Sequence, residues 1–364
     1  MRILIAPDKF KGSLTGLEVI EAIRSGINSF EKDIQIETQL LADGGEGTLE
    51  IIESSLDLSR IEMTVSDPLG KAVKGYYLLG KGSAYIEMAQ ASGLLLLPSE
   101  QRNPLYTSTF GTGQMILDAL NKGAQSINLF VGGSATNDCG LGMARALGFK
   151  FFNSRGSELK GRGKELCEVA KIGYEDVDPR IGQVTFQVLT DVQNPLLGHN
   201  GAAYVYGKQK GASTTDIERL EKGSYHLATK LSNGFENLQG AGAAGGLGYG
   251  AMAFLSAQVQ SGINFLLDLT EVSKKVDWAD LVITGEGSID HQTLEGKVIA
   301  GLSQICQSRS TPLAIVCGIS SLQSFGTTPI YQIFDKAKDT SDAMINAEVY
   351  LQELTQELLS EFEA

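Results

Sequence analysis

The sequence is poor in the residues that build metal centres and nucleophilic triads. Its 364 residues include three dispersed histidines and four widely spaced cysteines without a Cys-x-x-Cys pair. A zinc site needs several such side chains at close spacing, and a Ser-His-Asp or Cys-His arrangement needs a histidine beside its nucleophile. The sequence therefore predicts neither a zinc site nor covalent catalysis by such a triad.

Long apolar runs are lacking as well. No stretch of the sequence approaches 18 consecutive apolar residues, so no membrane span is predicted. The apolar start at residues 1–7 is too short for a signal peptide and is followed at once by charged residues. The scattered cysteines suit buried thiols in a reducing compartment. We therefore expect a cytoplasmic protein.

Positive charge and proline are in short supply. The formal net charge is −13, which argues against nucleic acid or an anionic membrane as the main partner. An anionic small molecule would need local lysine or arginine side chains to offset this charge. Glycine is far commoner than proline, with 43 residues against 8, and lies in clusters between strand and helix patterns. Such clusters are typical of the loops of an α/β fold.

The central stretch is LFVGGSATNDCGLGMARALG, residues 129–148. Its apolar start indicates the end of a buried strand, and its second half indicates an amphipathic helix that ends at Gly148. Paired glycines before a helix N-terminus can bind a phosphate through exposed backbone N–H groups. The alternative is an ordinary strand–turn–helix whose glycines serve packing. The glycines and candidate helix caps are Gly132, Gly133, Ser134, Thr136 and Asn137.

The N-terminal stretch predicts a βα unit. Residues 2–6 form an apolar run typical of a buried parallel strand, and Thr15 with Glu18 forms a capping-box pattern before a helix. The loop between them lies where α/β folds bind ligands. Its polar residues are candidates for an anionic substrate, although a solvated basic turn fits equally. These residues are Asp8, Lys9, Lys11 and Ser13.

Acidic residues follow three further predicted strands. Asp43 and Glu46 flank Gly44-Gly45, where they could bind a ligand or merely complete the loop and the next helix. Asp191 follows the strand at 183–189 and could accept a hydroxyl proton or hold Mg²⁺, with an Asx turn as the alternative. Lys208 and Lys210 come shortly afterwards in the sequence. The third strand, at residues 278–284, leads into Glu286 and Asp290.

The predicted secondary-structure pattern changes near residue 61, from alternating strands and helices to short consecutive strands. Three short strand patterns between residues 63 and 88 are joined by tight turns, which favours antiparallel hairpins. The βα style returns at residue 278. We therefore expect an α/β protein with a discontinuous domain, residues 1–60 and 273–364. An inserted mixed α/β domain, residues 61–272, would interrupt it, with the ligand site in the cleft between the domains.

Glycine loops, strand-end acids and scattered lysines together fit phosphoryl transfer. That reaction needs positioned phosphates, Mg²⁺, cations and an acidic base, and little covalent chemistry from the protein. Seven segments, in order, also resemble the motifs of the bacterial glycerate kinase type 1 family across nearly the whole chain. They are APDKFKGSL (6–14), LADGGEGT (41–48), GGSATND (132–138), TDVQNPLLG (190–198), GKQKGA (207–212), GAGAAGGLG (240–248) and TGEGSID (284–290).

The resemblance implies ATP- and Mg²⁺-dependent phosphorylation of D-glycerate to 2-phosphoglycerate by a two-domain protein with a Rossmann-like part. We expect Asp191 to act as the base or hold the metal, with Glu286 and Asp290 as second candidates for these roles. Two small-molecule substrates are implied, and a homodimer is allowed. The expected nucleotide site is Gly132, Gly133, Ser134, Ala135, Thr136 and Asn137. The expected substrate site is Asp8, Lys9, Lys11, Ser13, Asp43 and Glu46.

Two positions depart from the family pattern. Ser288 stands where arginine is usual, and Lys9 stands where serine is common. Lys9 could replace the charge of that arginine but not its bidentate geometry. Formation of 3-phosphoglycerate, or phosphorylation of a related hydroxy acid, stays open. A non-catalytic nucleotide or sugar-acid sensor is a further alternative. The acidic loop residues that such a sensor could lose are all present, which disfavours it: Asp43, Glu46, Asp191, Glu286 and Asp290.

Overall fold

The computed structural model describes residues 1–30, 33–42, 44–45, 47–290 and 298–362. Its fourteen strands, in chain order, are β1 Arg2–Ile5, β2 Gln35–Thr38, β3 Ser59–Ser66, β4 Ala72–Gly80, β5 Ser83–Glu87, β6 Ser126–Phe130, β7 Lys150–Phe152, β8 Lys171–Gly173, β9 Thr185–Leu189, β10 Gln258–Gln260, β11 Leu281–Ile289, β12 Leu313–Ser320, β13 Ser324–Phe325 and β14 Thr328–Gln332 among these residues. The described α-helices are α1 Gly16–Asn28, α2 Thr48–Ser55, α3 Ala89–Ser92, α4 Phe110–Asn121, α5 Leu141–Ala146, α6 Ala202–Tyr206, α7 Thr214–Leu231, α8 Ala243–Leu255, α9 Gly262–Leu269, α10 Val272–Trp278, α11 Val298–Arg309, α12 Thr340–Ile345 and α13 Ala347–Phe362.

The chain divides into two compact units. The terminal unit comprises Met1–Asp43 and Ile263–Ala364, and the middle unit comprises Gly44–Gly262. The bounds predicted from the sequence, 1–60 with 273–364 and 61–272, remain a prediction. Helix α2 belongs to the middle unit, where the Leu49 N–H donates to the Glu87 carboxylate at the end of β5, at 2.9 Å.

The terminal unit contains a six-stranded sheet in the order β13-β14-β12-β11-β1-β2. All neighbouring strands are parallel except β13 and β14. Successive side chains of a strand point to opposite faces. Accordingly Ile3 and Ile5 pack in one cluster with residues of α1 and α13, whereas Leu4 packs in another with residues of α10 and α11. This is the expected α/β layering, and the predicted capping box of α1 is present.

The middle unit contains a mixed six-stranded sheet in the order β10-β9-β6-β5-β4-β3. β3, β4 and β5 are antiparallel neighbours, as the hairpin pattern predicts, while β5, β6, β9 and β10 run parallel. One hydrophobic cluster fills this unit. The expected α/β fold class is therefore confirmed, and the four parallel strands end at one edge of the sheet.

The glycine-dense segment at 240–250 allows close backbone packing. Ala244, Gly245 and Gly246 have left-handed backbone angles inside α8, which kinks there. A Cβ atom on Gly245 would lie 2.0 Å from the Thr136 carbonyl oxygen. This close approach accounts for a glycine at that position.

The C-terminal pattern at 342–362 predicts one helix, but the structure has two, because α12 ends at Ile345 and α13 begins at Ala347. The carboxylate of Asp342 in α12 accepts hydrogen bonds from the side chain of Asn346, at the break, and from the Tyr350 hydroxyl in α13.

Candidate functional site

The carboxyl edge of the parallel strands in the middle unit collects the main candidate residues. β6 and β9 are neighbours, with Phe130 opposite Leu189 at their ends. The glycine loop follows β6, and Asp191 follows β9. Ligands in open α/β sheets bind beyond the carboxyl ends of the strands. The sheet therefore brings these two segments, about sixty residues apart in the chain, to one edge.

Gly132, Gly133 and Ser134 form the accessible part of the glycine loop. Gly133 is exposed, Gly132 is partly exposed, and Ser134 is 8% exposed. The Gly133 carbonyl accepts the Leu94 N–H, but within the described ranges the amides of Gly132, Gly133 and Ser134 donate to no acceptor. Three adjacent backbone donors of this kind can bind an anion.

The helix for which Ser134, Thr136 and Asn137 offer caps begins after all three of them. α5 begins at Leu141, after Gly140 in left-handed conformation. The buried Asp138 carboxylate accepts the amide N–H groups of Gly140 and Gly142 at 3.1 and 3.2 Å. An internal carboxylate therefore occupies the N-terminus of α5, and a phosphate site at the preceding glycine loop remains a prediction.

Asp138 also fixes the preceding helix. It accepts the Thr109 N–H at 2.7 Å and the Thr109 hydroxyl at 2.8 Å. Complete burial raises the pKa of Asp138, and these hydrogen bonds act in the opposite direction. The carboxylate thus connects the glycine loop with α4 and α5.

Ala135, Thr136 and Asn137 are almost fully buried. The Thr136 hydroxyl and both amide atoms of Asn137 have no hydrogen-bond partner among the described residues. These atoms are buried, and a direct contact of these residues with a nucleotide remains a prediction. They support the loop, whereas Gly132, Gly133 and Ser134 can face a ligand.

Gly132 lies against the other glycine loop. A Cβ atom at this position would lie 2.6 Å from Gly45 Cα. A Cβ on Gly44 would approach Gly262 Cα at 3.5 Å and Leu189 O at 4.0 Å. The Gly44-Gly45 segment therefore lies at the ends of β6 and β9. Asp43 and Glu46, expected to bind substrate, lie outside the described residues.

Lys210 holds the glycine loop from within the protein. Its ammonium donates to Ser134 Oγ at 2.7 Å and to the Thr136 carbonyl at 2.8 Å. The residue is 2% exposed, while the nearby Lys208 is exposed. Burial lowers the pKa of Lys210 to about 7, and the charge of Asp138 acts in the opposite direction. Two lysines that look equivalent in the sequence thus have different environments.

Asp191 is partly exposed at the end of β9. Its Oδ1 accepts the Ser261 hydroxyl at 2.6 Å, and Ser261 directly follows β10. The turn itself is completed by Thr190, whose Oγ1 accepts the Val192 N–H at 3.1 Å. An Asx turn is therefore not needed to explain the position of Asp191.

The terminal unit places its candidates at the carboxyl ends of β1 and β11. Asp8 N–H donates to the Gly285 carbonyl, and the Asp8 carboxylate accepts the Lys9 N–H at 2.6 Å. Lys11 is exposed. The Ser13 hydroxyl donates to the Met344 carbonyl at 2.9 Å, so its oxygen can serve a ligand only as an acceptor.

Glu286 lies inside a strand and not in the predicted loop. β11 continues to Ile289, and Glu286 pairs with Cys317 of β12. The Glu286 side chain is buried, Ser288 is exposed, and Asp290 follows the strand in a partly exposed position. The strand predicted to end at residue 284 therefore continues to Ile289, because backbone pairing with β12 extends β11 through the glycines.

The described part of the chain contains no group of three histidine, cysteine or acidic side chains arranged to hold a metal ion. Mg²⁺ commonly uses one or two carboxylates together with substrate phosphates and water. The partly exposed carboxylate of Asp191 suits that limited role. Glu286 belongs to the terminal unit and Asp191 to the middle unit, so a shared metal site remains a prediction.

Ser261 and Glu87 at this edge were missed from the sequence, and Lys210 was noted there only for its closeness to Asp191 in the chain. Lys210 and Ser261 contact Ser134 and Asp191, and Glu87 ends β5 beside β6. The short strand before Ser261 has no clear alternation pattern, and no local signal distinguishes Lys210 from Lys208. Only the pairing of β9 with β10 reveals the Ser261 contact.

No helix of the described residues is both long and apolar enough to cross a membrane. The model of the Glycerate kinase family matches residues 3–363. A glycerate kinase of Halalkalibacterium halodurans is 45% identical over 322 residues, which cover 87% of this chain and 85% of that protein.

Glycerate 2-kinase of Escherichia coli K12 is 40% identical over 324 residues, covering 87% of this chain and 85% of its own. The crystal structure of a Salmonella typhimurium LT2 protein assigned as glycerate kinase 2 matches with a TM-score of 0.82 and 38% identity. That match covers 100% of both chains. Motif order, fold and relatives agree, and the chain belongs to the glycerate kinase family.

Proposed function

We propose that this chain transfers the γ-phosphoryl group of ATP to D-glycerate and forms 2-phosphoglycerate. Membership of the glycerate kinase family and similarity to a glycerate 2-kinase support the reaction. The structural observation that best supports it concerns the ends of the neighbouring strands β6 and β9. The loop with the amides of Gly132–Ser134 follows β6, and the Asp191 carboxylate follows β9. Phosphoryl transfer requires an anion site and a proton acceptor of this kind.

Nucleotide phosphates would bind at Gly132, Gly133 and Ser134. The three amides without acceptors and the Ser134 hydroxyl can donate hydrogen bonds to phosphate oxygens. Donors held in place before the reaction stabilise the charge that develops during transfer. Ala135, Thr136 and Asn137 would act indirectly, because they are buried under this surface.

Asp191 would accept the proton of the attacking hydroxyl. The glycerate oxygen forms a bond to the γ-phosphorus, the bond to the bridging oxygen of ADP breaks, and the hydroxyl proton moves to the carboxylate. The Ser261 hydroxyl orients Oδ1 of Asp191. Glu286 and Asp290 are the second candidates for base or metal ligand. Mg²⁺, held by Asp191 or Glu286, would neutralise charge on the phosphates when bound.

The loop after β1 would provide contacts for glycerate. Lys9 and Lys11 supply positive charge for its carboxylate in a protein of net charge −13. Asp8 and the Ser13 oxygen can accept hydrogen bonds from glycerate hydroxyls. Gly287 lies close to this loop, since a Cβ atom added to it would be 3.1 Å from the backbone nitrogen of Lys11. Ser288 and Lys9 could thus modify substrate preference through neighbouring segments.

Phosphorus NMR of the products tests the proposed reaction. The protein is incubated with ATP, Mg²⁺ and D-glycerate. A phosphorus signal split by one proton identifies 2-phosphoglycerate, whereas splitting by two protons identifies 3-phosphoglycerate and overturns the proposed position of attack. A matched incubation with excess EDTA should form no product if Mg²⁺ is required. If the complete mixture forms neither a phosphoglycerate nor ADP, the proposed function is overturned.

The remaining partner assignments are tested separately. We propose that the partners are these small molecules and not nucleic acid, because the negative net charge disfavours a polyanion as large as DNA. Filter binding with labelled duplex DNA should show no retention at physiological salt. A homodimer is compatible with the proposal, and light scattering of the purified chain measures it directly.

A further inference from the structure

Lys210 is an unusual residue for the position that it occupies. Its side chain is almost fully buried, and it forms no ion pair within 4.0 Å with a carboxylate that the structure describes. Burying a cation costs free energy unless hydrogen bonds or an opposite charge compensate for it. Here the compensation consists of two hydrogen bonds, to the Ser134 hydroxyl and the Thr136 carbonyl.

The first of these contacts determines how the Ser134 hydroxyl can act. Its oxygen accepts a hydrogen bond from the ammonium at 2.7 Å, so the hydroxyl proton remains available for another acceptor. Ser134 retains 8% exposure beside exposed Gly133. A hydroxyl that accepts from a cation is polarised and becomes a stronger donor. Its natural acceptor is an anionic oxygen at the loop surface.

The electrostatic environment agrees with an anion at this place. Burial lowers the pKa of Lys210 to about 7, and Asp138 is the charged group acting on it. Asp138 already accepts four hydrogen bonds from Thr109, Gly140 and Gly142. An incoming phosphate would add a second negative charge near the ammonium and favour its protonated form.

We propose that Lys210 is a positioning residue that orients the Ser134 hydroxyl as a hydrogen-bond donor to a nucleotide phosphate. This inference rests on the proposed nucleotide site at Gly132–Ser134. Lys210 acts through Ser134 and need not touch the nucleotide. Its second contact, with the Thr136 carbonyl, keeps the loop at the distance that this hydrogen bond requires.

A double-mutant cycle of Lys210→Gln and Ser134→Ala tests the proposal. The dissociation constant of ADP is measured by calorimetry for wild type, both single variants and the double variant. Each single substitution should weaken ADP binding by about tenfold, as expected for a lost hydrogen bond to a charged group. The double variant should bind no more weakly than the weaker single variant, because both changes remove one coupled contact.

The matched control is Lys208→Gln, which removes the same charge from an exposed position two residues away. It should alter ADP binding less than twofold. Steady-state kinetics add a second readout: Lys210→Gln should raise KM for ATP far more than KM for D-glycerate. A general loss of packing would change both constants together. Thermal melts establish that each variant is folded, and Lys210→Met, of similar length, replaces the Gln variant if that one fails.

The outcomes separate this inference from the proposed function. If the two factors by which the single variants raise the dissociation constant of ADP multiply in the double variant, Lys210 and Ser134 act independently. That result would overturn the inference but not the proposed function. Unchanged ADP binding in Ser134→Ala would overturn the inference and remove the Ser134 hydroxyl from the proposed nucleotide site, while the backbone amides of that site are tested by hydrogen exchange. The kinase reaction is judged independently, by the phosphorus NMR of products from the wild-type protein.

Discussion

Asp191 carries the most direct test at the scale of single residues. Asp191→Asn keeps the size of the side chain but removes the charge and most of the basicity. We expect kcat to fall by about 100-fold or more, since a positioned general base contributes that much. KM for ATP should change little, because the proposed phosphate donors lie on the loop after β6. Initial rates with a coupled ADP assay measure both quantities.

Asp57→Asn is the matched control for this experiment. Asp57 is an exposed aspartate of the same unit, located before β3. Its replacement should leave kcat within twofold of the wild-type value. Near-normal turnover in Asp191→Asn would remove Asp191 from the role of base and leave Glu286 or Asp290 to be tested.

Lys210 makes stability depend on pH in a definite direction. Its pKa is lowered from 10.5 to about 7 in the folded protein. Between these values the unfolded chain binds a proton that the folded chain does not, so stability rises as pH increases through this window. Urea unfolding of the ligand-free protein at pH 7.0 and 8.5 measures this rise.

Lys210→Met provides the comparison, because it lacks this titration while every other group is retained. The stability gain from pH 7.0 to 8.5 should therefore be smaller in the variant. Burial raises the pKa of Cys139 to about 12. This shift lowers stability with rising pH only above pH 9, the ordinary pKa of a thiol, and therefore does not affect the comparison between pH 7.0 and 8.5. Equal gains in both proteins would show that the buried lysine does not titrate in this window.

At the scale of elements, the two glycine loops depend on each other. Gly132→Ala would place a Cβ 2.6 Å from Gly45 Cα, where both contacting groups belong to backbones. One loop must shift, and a shift near 1 Å at a reacting group can lower the rate by about 100-fold. We expect kcat/KM for ATP to fall by at least tenfold, measured with the coupled assay.

Gly182→Ala controls for loss of a glycine as such. Gly182 is exposed, and no atom lies within 4 Å of the position of its added Cβ. This variant should retain wild-type kinetics. Unaltered kcat/KM in Gly132→Ala would show that the approach of the two loops is not required for activity.

Element types were predictable from the sequence where local chemistry decides them. The capping box of Thr15 and Glu18 starts α1, and the alternating strands after residue 58 form antiparallel pairs. The start of α5 was not predictable in this way. Ser134, Thr136 and Asn137 all suit a helix cap, but the Asp138 side chain accepts the N–H groups at the start of α5. Asp138 in turn accepts hydrogen bonds from Thr109, which directly precedes α4.

At the scale of the whole molecule, the proposed ligand sites divide between the two units. The nucleotide loop lies in the middle unit, and the loop with Lys9 and Lys11 lies in the terminal unit. Hydrogen exchange with mass spectrometry tests this division. ADP alone should slow exchange at residues 132–134, and D-glycerate alone should slow it at residues 8–13, because bound amides exchange less often.

Exchange in the presence of the unrelated anion sulfate provides the background for each peptide. Protection by ADP confined to residues 8–13, with none at 132–134, would contradict the proposed nucleotide site. Protection by glycerate confined to the middle unit would likewise remove Lys9 and Lys11 from the substrate site.

The sequence by itself determined the family, the α/β class and the segments that carry the chemistry. Motif order, buried-strand runs and turn residues are local properties of the chain, so they can be read without a structure. The candidate residues Ser134 and Asp191 could be predicted in this way, because each lies shortly after a recognisable strand.

Only the tertiary structure decided which groups act together. Lys210 is separated from Ser134 by 76 residues and Ser261 from Asp191 by 70, yet each pair shares a hydrogen bond. The order of strands in the sheet and the burial of the lysine create these contacts. Both result from packing of distant segments, and therefore no local pattern of residues contains them.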